Sequence, residues 1–149
     1  MGAVTYPNAS VQEFVASTFV ALKSSLGEDP ELWRRYSANW TPTILVLDSQ
    51  GNEKHRIVGY LEPGHFMGQL RLGVGKLLME AEKFEESIRT LSDVITHHAE
   101  TEAAPEAVYY EAVARYKQTS DPAHLKAGYE RLKELYPGNA WTQKASVWA

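Results

Sequence analysis

The stretch that decides how the first half of this chain folds is Trp40-Thr-Pro-Thr-Ile-Leu-Val-Leu-Asp-Ser-Gln-Gly-Asn52. After the proline, Thr43–Leu47 is a run of β-branched and aliphatic residues, which is typical of a strand. Asp48–Asn52 offers a turn, with a glycine available for positive φ. Arg56–Leu61 is predicted to return as a second strand, so the stretch indicates an antiparallel hairpin.

Upstream of this hairpin, the sequence predicts two helices and a strand. Asn8–Ser10 offers helix caps and precedes apolar residues at helical spacing. Phe19–Leu22 is short, apolar and β-prone, which predicts a strand. Asp29 and Pro30 suit the cap and the first turn of the second helix.

Downstream of the hairpin, almost every residue fits a helical pattern. The apolar spacing and the helix-start signals predict one long helix and four further helical segments. These are a helix over about 65–81, helices that begin near Phe84, Ala104 and Asp121, and a short last segment over 140–148.

Two helix pairs in this half have a repeat-like spacing. Phe84-Glu-Glu-Ser-Ile-Arg-Thr-Leu91 has the shape of a second repeat helix, and Gly75 lies where close helix packing needs a small residue. Ala112 is its counterpart in the next unit, and Tyr136-Pro137 ends that unit. The period is 37–38 residues, a little over the 34 of the tetratricopeptide repeat, which these helix pairs resemble.

Residues 5–72 resemble the thioredoxin family from its first helix onward. The resemblance is carried by Trp40–Asn52, because that family has a Thr-Pro or Ile-Pro-Thr step here, with a cis proline beside the active site. Gly59 matches a glycine that commonly ends the second hairpin strand. The resemblance implies that Pro42 follows a cis peptide bond.

The chain differs from this family in the segment that would come before the first matching helix. The chain contains no cysteine, so the family's Cys-x-x-Cys pair and the strand before it have no counterpart here. Without that strand, Phe19–Ser25 and Thr43–Leu47 would each expose an unpaired edge, and such edges tend to find a partner. We expect the two strands to pair with each other, or two chains to associate as a homo-oligomer through this region.

Together these patterns predict an α+β, mostly α fold in two parts. Residues 1–66 are predicted to form a truncated thioredoxin-like βαβ(hairpin)α segment, and residues 67–149 a tetratricopeptide-like helical segment. The net charge of −4 and the interleaved charges predict neither a nucleic-acid nor a membrane partner. We expect a cytoplasmic protein, since Met1–Pro7 lacks the basic and apolar regions of a signal peptide.

Candidate site residues come from the repeat register set by Ala112. Aromatic anchors with flanking charges are typical of peptide-binding grooves, but the tyrosines could equally pack between helices. We predict no catalytic residue, no cofactor and no metal site, since the adjacent His97 and His98 point about 100° apart on a helix. The residues predicted to line a concave groove are Leu72, Lys76, Met79, Tyr109, Val113, Tyr116 and Lys117.

Two functions follow as hypotheses. The first is a non-catalytic module that binds a protein or peptide and is chaperone-like, as the combined resemblance implies. The alternative is a fragment of a thioredoxin-type disulfide oxidoreductase whose Cys-x-x-Cys lies upstream of Met1. Without cysteine, the chain lacks the thiolate that such chemistry requires, so we predict that it is not an enzyme by itself.

Overall fold

The computed structural model of the protein describes residues 1–25 and 27–149. It is mostly helical, with one small antiparallel sheet, in agreement with the predicted α+β, mostly α class. No helix in the described ranges is both long and apolar enough to cross a bilayer. The elements are α1 (Ala9–Thr18), α2 (Pro30–Arg35), β1 (Thr43–Leu47), β2 (Glu53–Val58), α3 (Pro63–Glu80), α4 (Phe84–His97), α5 (Ala103–Thr119), α6 (Ala123–Leu135), α7 (Ala140–Ala145) and a 3₁₀ turn (Ser146–Trp148).

The first two helices begin at the residues that the sequence predicts. The Asn8 side chain accepts a hydrogen bond from the backbone N–H of Val11. The Asp29 side chain does the same for the N–H of Leu32, and Pro30 occupies the first helical position. Each cap therefore satisfies a backbone donor that has no partner within its own helix.

The predicted antiparallel hairpin forms, with a tight turn between its strands, but its second strand is Glu53–Val58 rather than Arg56–Leu61. Asp48 closes the turn by accepting hydrogen bonds from the backbone and side-chain nitrogens of Asn52, at 2.8 and 2.9 Å. These bonds lower the pKa of the Asp48 carboxyl to about 2, because they stabilise its charged form. Gly51 has a φ of +79°, the left-handed conformation that glycine adopts without steric cost.

The predicted strand at Phe19–Leu22 is wrong. Phe19–Ser25 does not join the sheet, which has two strands in the described residues. Phe19 packs on the core, whereas Val20 is fully exposed and Leu22 is 81% exposed. The residue types favour a strand, but a strand also needs a hydrogen-bonded neighbour, and Phe19–Ser25 pairs with neither β1 nor β2.

The helices α3 to α6 pack as successive neighbours, and the closest contact recurs after 37 residues. A Cβ atom placed on Gly75 would lie 2.5 Å from Leu91 Cδ2, so α3 and α4 are in very close contact. Thirty-seven residues after Gly75 stands Ala112, and a Cβ atom on Gly128 would lie 2.4 Å from Ala112 Cβ. In the first pair of helices, the small residue at the contact is Gly75 on α3. In the second pair, both residues at the contact are small, Ala112 on α5 and Gly128 on α6.

The last helix continues this arrangement. α7 begins 37 residues after α5 and packs on both α5 and α6. Its Trp141, together with Trp148, lies against Tyr109 of α5, with ring centroids 5.1 and 4.5 Å apart. These aromatic residues cover the end of the helical stack, which would otherwise expose its apolar face.

One helix connects the hairpin to the helical stack. The predicted boundary between the two parts of the chain, at residues 66 and 67, falls inside α3. This helix packs on the hairpin as well as on α4. Gly73 makes the sheet contact possible, since a Cβ atom there would lie 2.9 Å from Val46 Cγ2 and 3.0 Å from His55 Cβ. Two buried clusters result. One joins α1, the hairpin and α3 around Val11, Val46, Ile57, Phe66, Met67 and Leu70; the other joins the stack around Leu72, Leu91, Val94, Val108 and Leu132.

Candidate interaction surface

Three large apolar side chains are exposed at the open end of the hairpin. Trp40 is 65% exposed, Val58 54% and Tyr60 52%. Their backbones are neighbours, because the N–H of Gly59 donates to the carbonyl oxygen of Pro42 at 2.8 Å. The bond between Thr41 and Pro42 is cis. The candidate residue Pro42 thus lies between Trp40 and the end of β2.

Two further apolar side chains are exposed on the N-terminal segment, which is bonded to the chain just after Tyr60. Thr5 is buried and donates its hydroxyl to the carbonyl oxygen of Leu61 at 2.6 Å, which fixes the segment beside Tyr60. The residues on either side of Thr5 remain exposed, Val4 at 54% and Tyr6 at 39%. We name Val4, Tyr6, Trp40, Val58 and Tyr60 the hairpin surface.

Tyr36, which follows α2, contacts the hairpin at its turn and near the middle of β2. The Tyr36 hydroxyl donates to the carbonyl oxygen of Gly51 at 2.8 Å, and Arg56 donates to the carbonyl oxygen of Tyr36. At the other end Val58, on the same face of the sheet as Arg56, is exposed, and so is Tyr60 just beyond the strand. An antiparallel sheet with one solvated face normally places polar residues there. The apolar residues at this position are therefore typical of a face that another surface covers.

The structure separates the residues predicted to line a groove on the helical stack. Leu72 is fully buried in the core and Met79 is 9% exposed, so neither presents its side chain to an open groove. Tyr109 is stacked on Trp148. The sequence places these residues on the correct helices, but α4 and the folded-back C-terminus cover positions that were expected to be open.

The other predicted groove residues differ in their surroundings. Lys76 Nζ lies 2.9 Å from Glu106 Oε1 and 5.2 Å from the centre of the Tyr110 ring, so its charge is already paired. Val113 is half-buried. Only Tyr116, which is 38% exposed, and Lys117 present much of their side chains to solvent.

His55 is part of a buried polar network between the hairpin and the stack. Its Nε2 lies 2.6 Å from Gln69 Oε1, and its Nδ1 lies 3.3 Å from Lys76 Nζ. Burial is the main cause that lowers the pKa of His55, and the neighbouring Lys76 charge lowers it further. Sequence reasoning missed this residue, although its position two before Ile57 places it on the inner face of β2.

Glu111 is a second buried polar residue that sequence reasoning missed. It is 5% exposed and accepts hydrogen bonds from the Ser92 hydroxyl at 2.8 Å, from Arg115 at 2.7 Å and from Arg131 at 3.0 Å. These partners lie on α4, α5 and α6. The carboxylate therefore ties three helices together, and its charge is compensated by two arginines.

Within the described residues, no group of three or more His, Asp or Glu side chains is placed to hold a metal ion. Comparison of the chain with family models, with curated proteins and with solved structures gives no match. The geometry of the hairpin and the stack is therefore what indicates a function.

Proposed function

We propose that this chain is a non-catalytic protein-interaction module that binds a protein or peptide through the hairpin surface. One observation carries the proposal: five large apolar side chains, at the open end of the hairpin and on the N-terminal segment bonded beside it, are each at least 39% exposed. Aromatic side chains bury about 150–250 Å² each on packing, so the surface amounts to several hundred Å². Exposed apolar patches of that size mark interaction sites on monomeric proteins.

The thioredoxin-like resemblance of residues 1–66 forms part of the proposal. It is supported by the helix–hairpin–helix order around Trp40–Asn52. In that family the Thr-Pro step lies beside the active site, and in this chain the hairpin surface borders the same step. Since the chain has no cysteine, we propose that this surface binds a partner without thiol–disulfide exchange.

The tetratricopeptide-like resemblance of residues 67–149 is supported by the recurrence of the close contact between paired helices after 37 residues. In the proposed arrangement the stack acts as a support for the hairpin. Its α3 fixes the inner face of the sheet through Gly73, and the outer face remains available. A rigid support lowers the entropy cost of binding.

The chemistry of the surface defines the class of partner. All five side chains are uncharged, and Trp and Tyr are the residues that most often dominate binding energies. We infer that the partner presents aliphatic or aromatic side chains. Binding should therefore depend only weakly on salt concentration, because charge pairs contribute little to it.

Affinity capture from the native lysate tests the proposal. The double variant Trp40→Ser/Tyr60→Ser should lose its partners, since removal of one aromatic anchor typically costs about 2 kcal/mol or more, about thirtyfold in affinity. The matched control is Tyr116→Ser, an exposed tyrosine on α5 that lies outside the hairpin surface. Loss of the same partners by Tyr116→Ser, with the double variant unaffected, would favour a groove on the stack and contradict the proposal.

A further inference from the structure

We propose that two copies of this chain pair through the free edge of β1, antiparallel and centred on Leu45. The binding element is the backbone of β1, which is distinct from the hairpin surface, so this inference does not depend on the proposed function. The partner is a second copy of the same chain.

The free edge consists of the backbone groups of Thr43, Leu45 and Leu47. The bonds from Gly59 N–H to the Pro42 oxygen and from Asp48 N–H to the Asn52 oxygen show which residues of β1 face β2. Hydrogen-bonded pairs alternate along an antiparallel ladder, so the even-numbered residues face β2. The odd-numbered residues point the other way, and within the described ranges no backbone hydrogen bond joins them to any segment.

This edge is complementary to itself. In an antiparallel pair centred on Leu45, the outward-facing Leu45 lies opposite the same residue of the second copy. Thr43 then lies opposite Leu47, which is also outward-facing. The three residues that offer free donors and acceptors thus meet one another, and the two copies form a continuous four-stranded sheet.

Charge distinguishes the two edges of the hairpin. Glu53, Lys54 and Arg56 lie on β2, and charged residues protect strand edges against pairing with other chains. β1, in contrast, is Thr-Ile-Leu-Val-Leu, without a charge. A self-pairing of β1 therefore brings no like charges together in its register.

The chain does not supply this strand from its own upstream segment. Phe19–Ser25 is rich in apolar residues, but it does not pair with β1. Among residues 1–25 and 27–149, the edge therefore has no strand partner. A second copy supplies a strand that matches in length, register and lack of charge.

A sedimentation experiment with charge-swapped variants tests the inference. Leu45→Lys and Leu45→Glu each place like charges opposite one another, so each variant alone should sediment as a monomer at about 200 µM, a high concentration chosen because small interfaces are weak. The wild-type chain should sediment as a dimer there. An equimolar mixture of the two variants should recover the dimer, since Lys now lies opposite Glu. Val147→Lys, which adds the same charge at an exposed position of the C-terminal 3₁₀ turn, should remain dimeric.

Hydrogen exchange on the wild-type chain gives a second test that needs no variant. The amide of Leu45 should exchange at least about tenfold more slowly at high than at low protein concentration, because dimerisation protects it. The amides of Ile44 and Val46, which face β2, should change little. A wild-type monomer at about 200 µM, or a Leu45 amide whose exchange does not depend on concentration, would overturn the inference. Dimers formed by each charged variant alone would also overturn it and assign the contact to another surface.

Discussion

Gly75 and Gly64 lie in the same helix, but only Gly75 has another side chain packed against its backbone. A Cβ atom on Gly75 would lie 2.5 Å from Leu91 Cδ2, whereas nothing lies within 4 Å of the corresponding position on Gly64. Leu91 is fully buried and has little room to move. We expect Gly75→Ala to lower the free energy of unfolding by about 1–3 kcal/mol through overpacking.

Gly64→Ala is the matched control for this prediction. The same methyl group in open space should raise the free energy of unfolding by about 0.5–1 kcal/mol, because alanine favours the helix over the unfolded chain. Urea denaturation followed by far-UV circular dichroism measures both variants. Equal stability of the two variants would mean that α3 and α4 are not in such close contact.

His55 makes stability depend on pH. Its pKa is lowered in the folded chain, first by burial, so the folded state binds fewer protons there than the unfolded state. Its contribution is complete above the unfolded pKa of about 6.5 and is lost as the pH falls below that value. We expect the free energy of unfolding to decrease between about pH 7 and pH 5, by at most about 1.4 kcal/mol per pH unit for one histidine.

Urea titrations across that range measure the effect. His55→Gln should flatten the decrease, although not abolish it, because burial also lowers the pKa of His98. A pH dependence that is the same in the wild type and in His55→Gln would show that His55 is not buried in its neutral form.

Among the elements, α4, α5 and α6 are held together by Glu111 as well as by their apolar faces. Glu111→Gln preserves the shape of the side chain but removes the charge that two arginines and a hydroxyl share. We expect a loss of about 1–3 kcal/mol in the free energy of unfolding, moderated because both arginines are partly in solvent. The exposed Glu130→Gln on α6 is the control. Thermal or urea unfolding that leaves the two variants equally stable would contradict this role.

The sequence was sufficient for elements that are determined locally. The caps at Asn8 and Asp29, the hairpin turn at Asp48–Asn52 and the helical periodicity after Pro63 each depend on neighbours in sequence, and the structure confirms them. The strand prediction for Phe19–Leu22 was wrong because strand formation depends on a partner that is distant in sequence. The same residues can remain unpaired, and nothing in their composition distinguishes the two states.

The candidate site could be predicted only in part, for a related reason. The pattern of α5 identified the helix faces that carry Tyr109 and Tyr116, but not which of them other elements cover. That depends on the C-terminus, whose Trp141 and Trp148 fold back over Tyr109. Likewise, Val58 and Tyr60 are exposed, whereas the contacts of Tyr36 lie at the hairpin turn and near the middle of β2. Such coverage is a property of the tertiary arrangement.

At the scale of the whole molecule, one helix packs on both the hairpin and the helical stack and thereby orients the hairpin. α3 contacts the hairpin through Gly73 and α4 through Gly75, two positions that are only two residues apart. The inner face of the sheet is therefore held on the helical stack. The outer face is presented to solvent at Val58, and Trp40 and Tyr60 are exposed just beyond the strand ends.

The central claim is that partners bind at this outer face of the hairpin. Site-specific photo-crosslinking in the native cells tests it most directly, with p-benzoylphenylalanine in place of Tyr60 in one variant and of Tyr116 in another. We predict a discrete crosslinked product from the Tyr60 position that disappears when Val58→Lys is added, and none from the Tyr116 position. A product from the Tyr116 position alone, or from neither position, would contradict the claim.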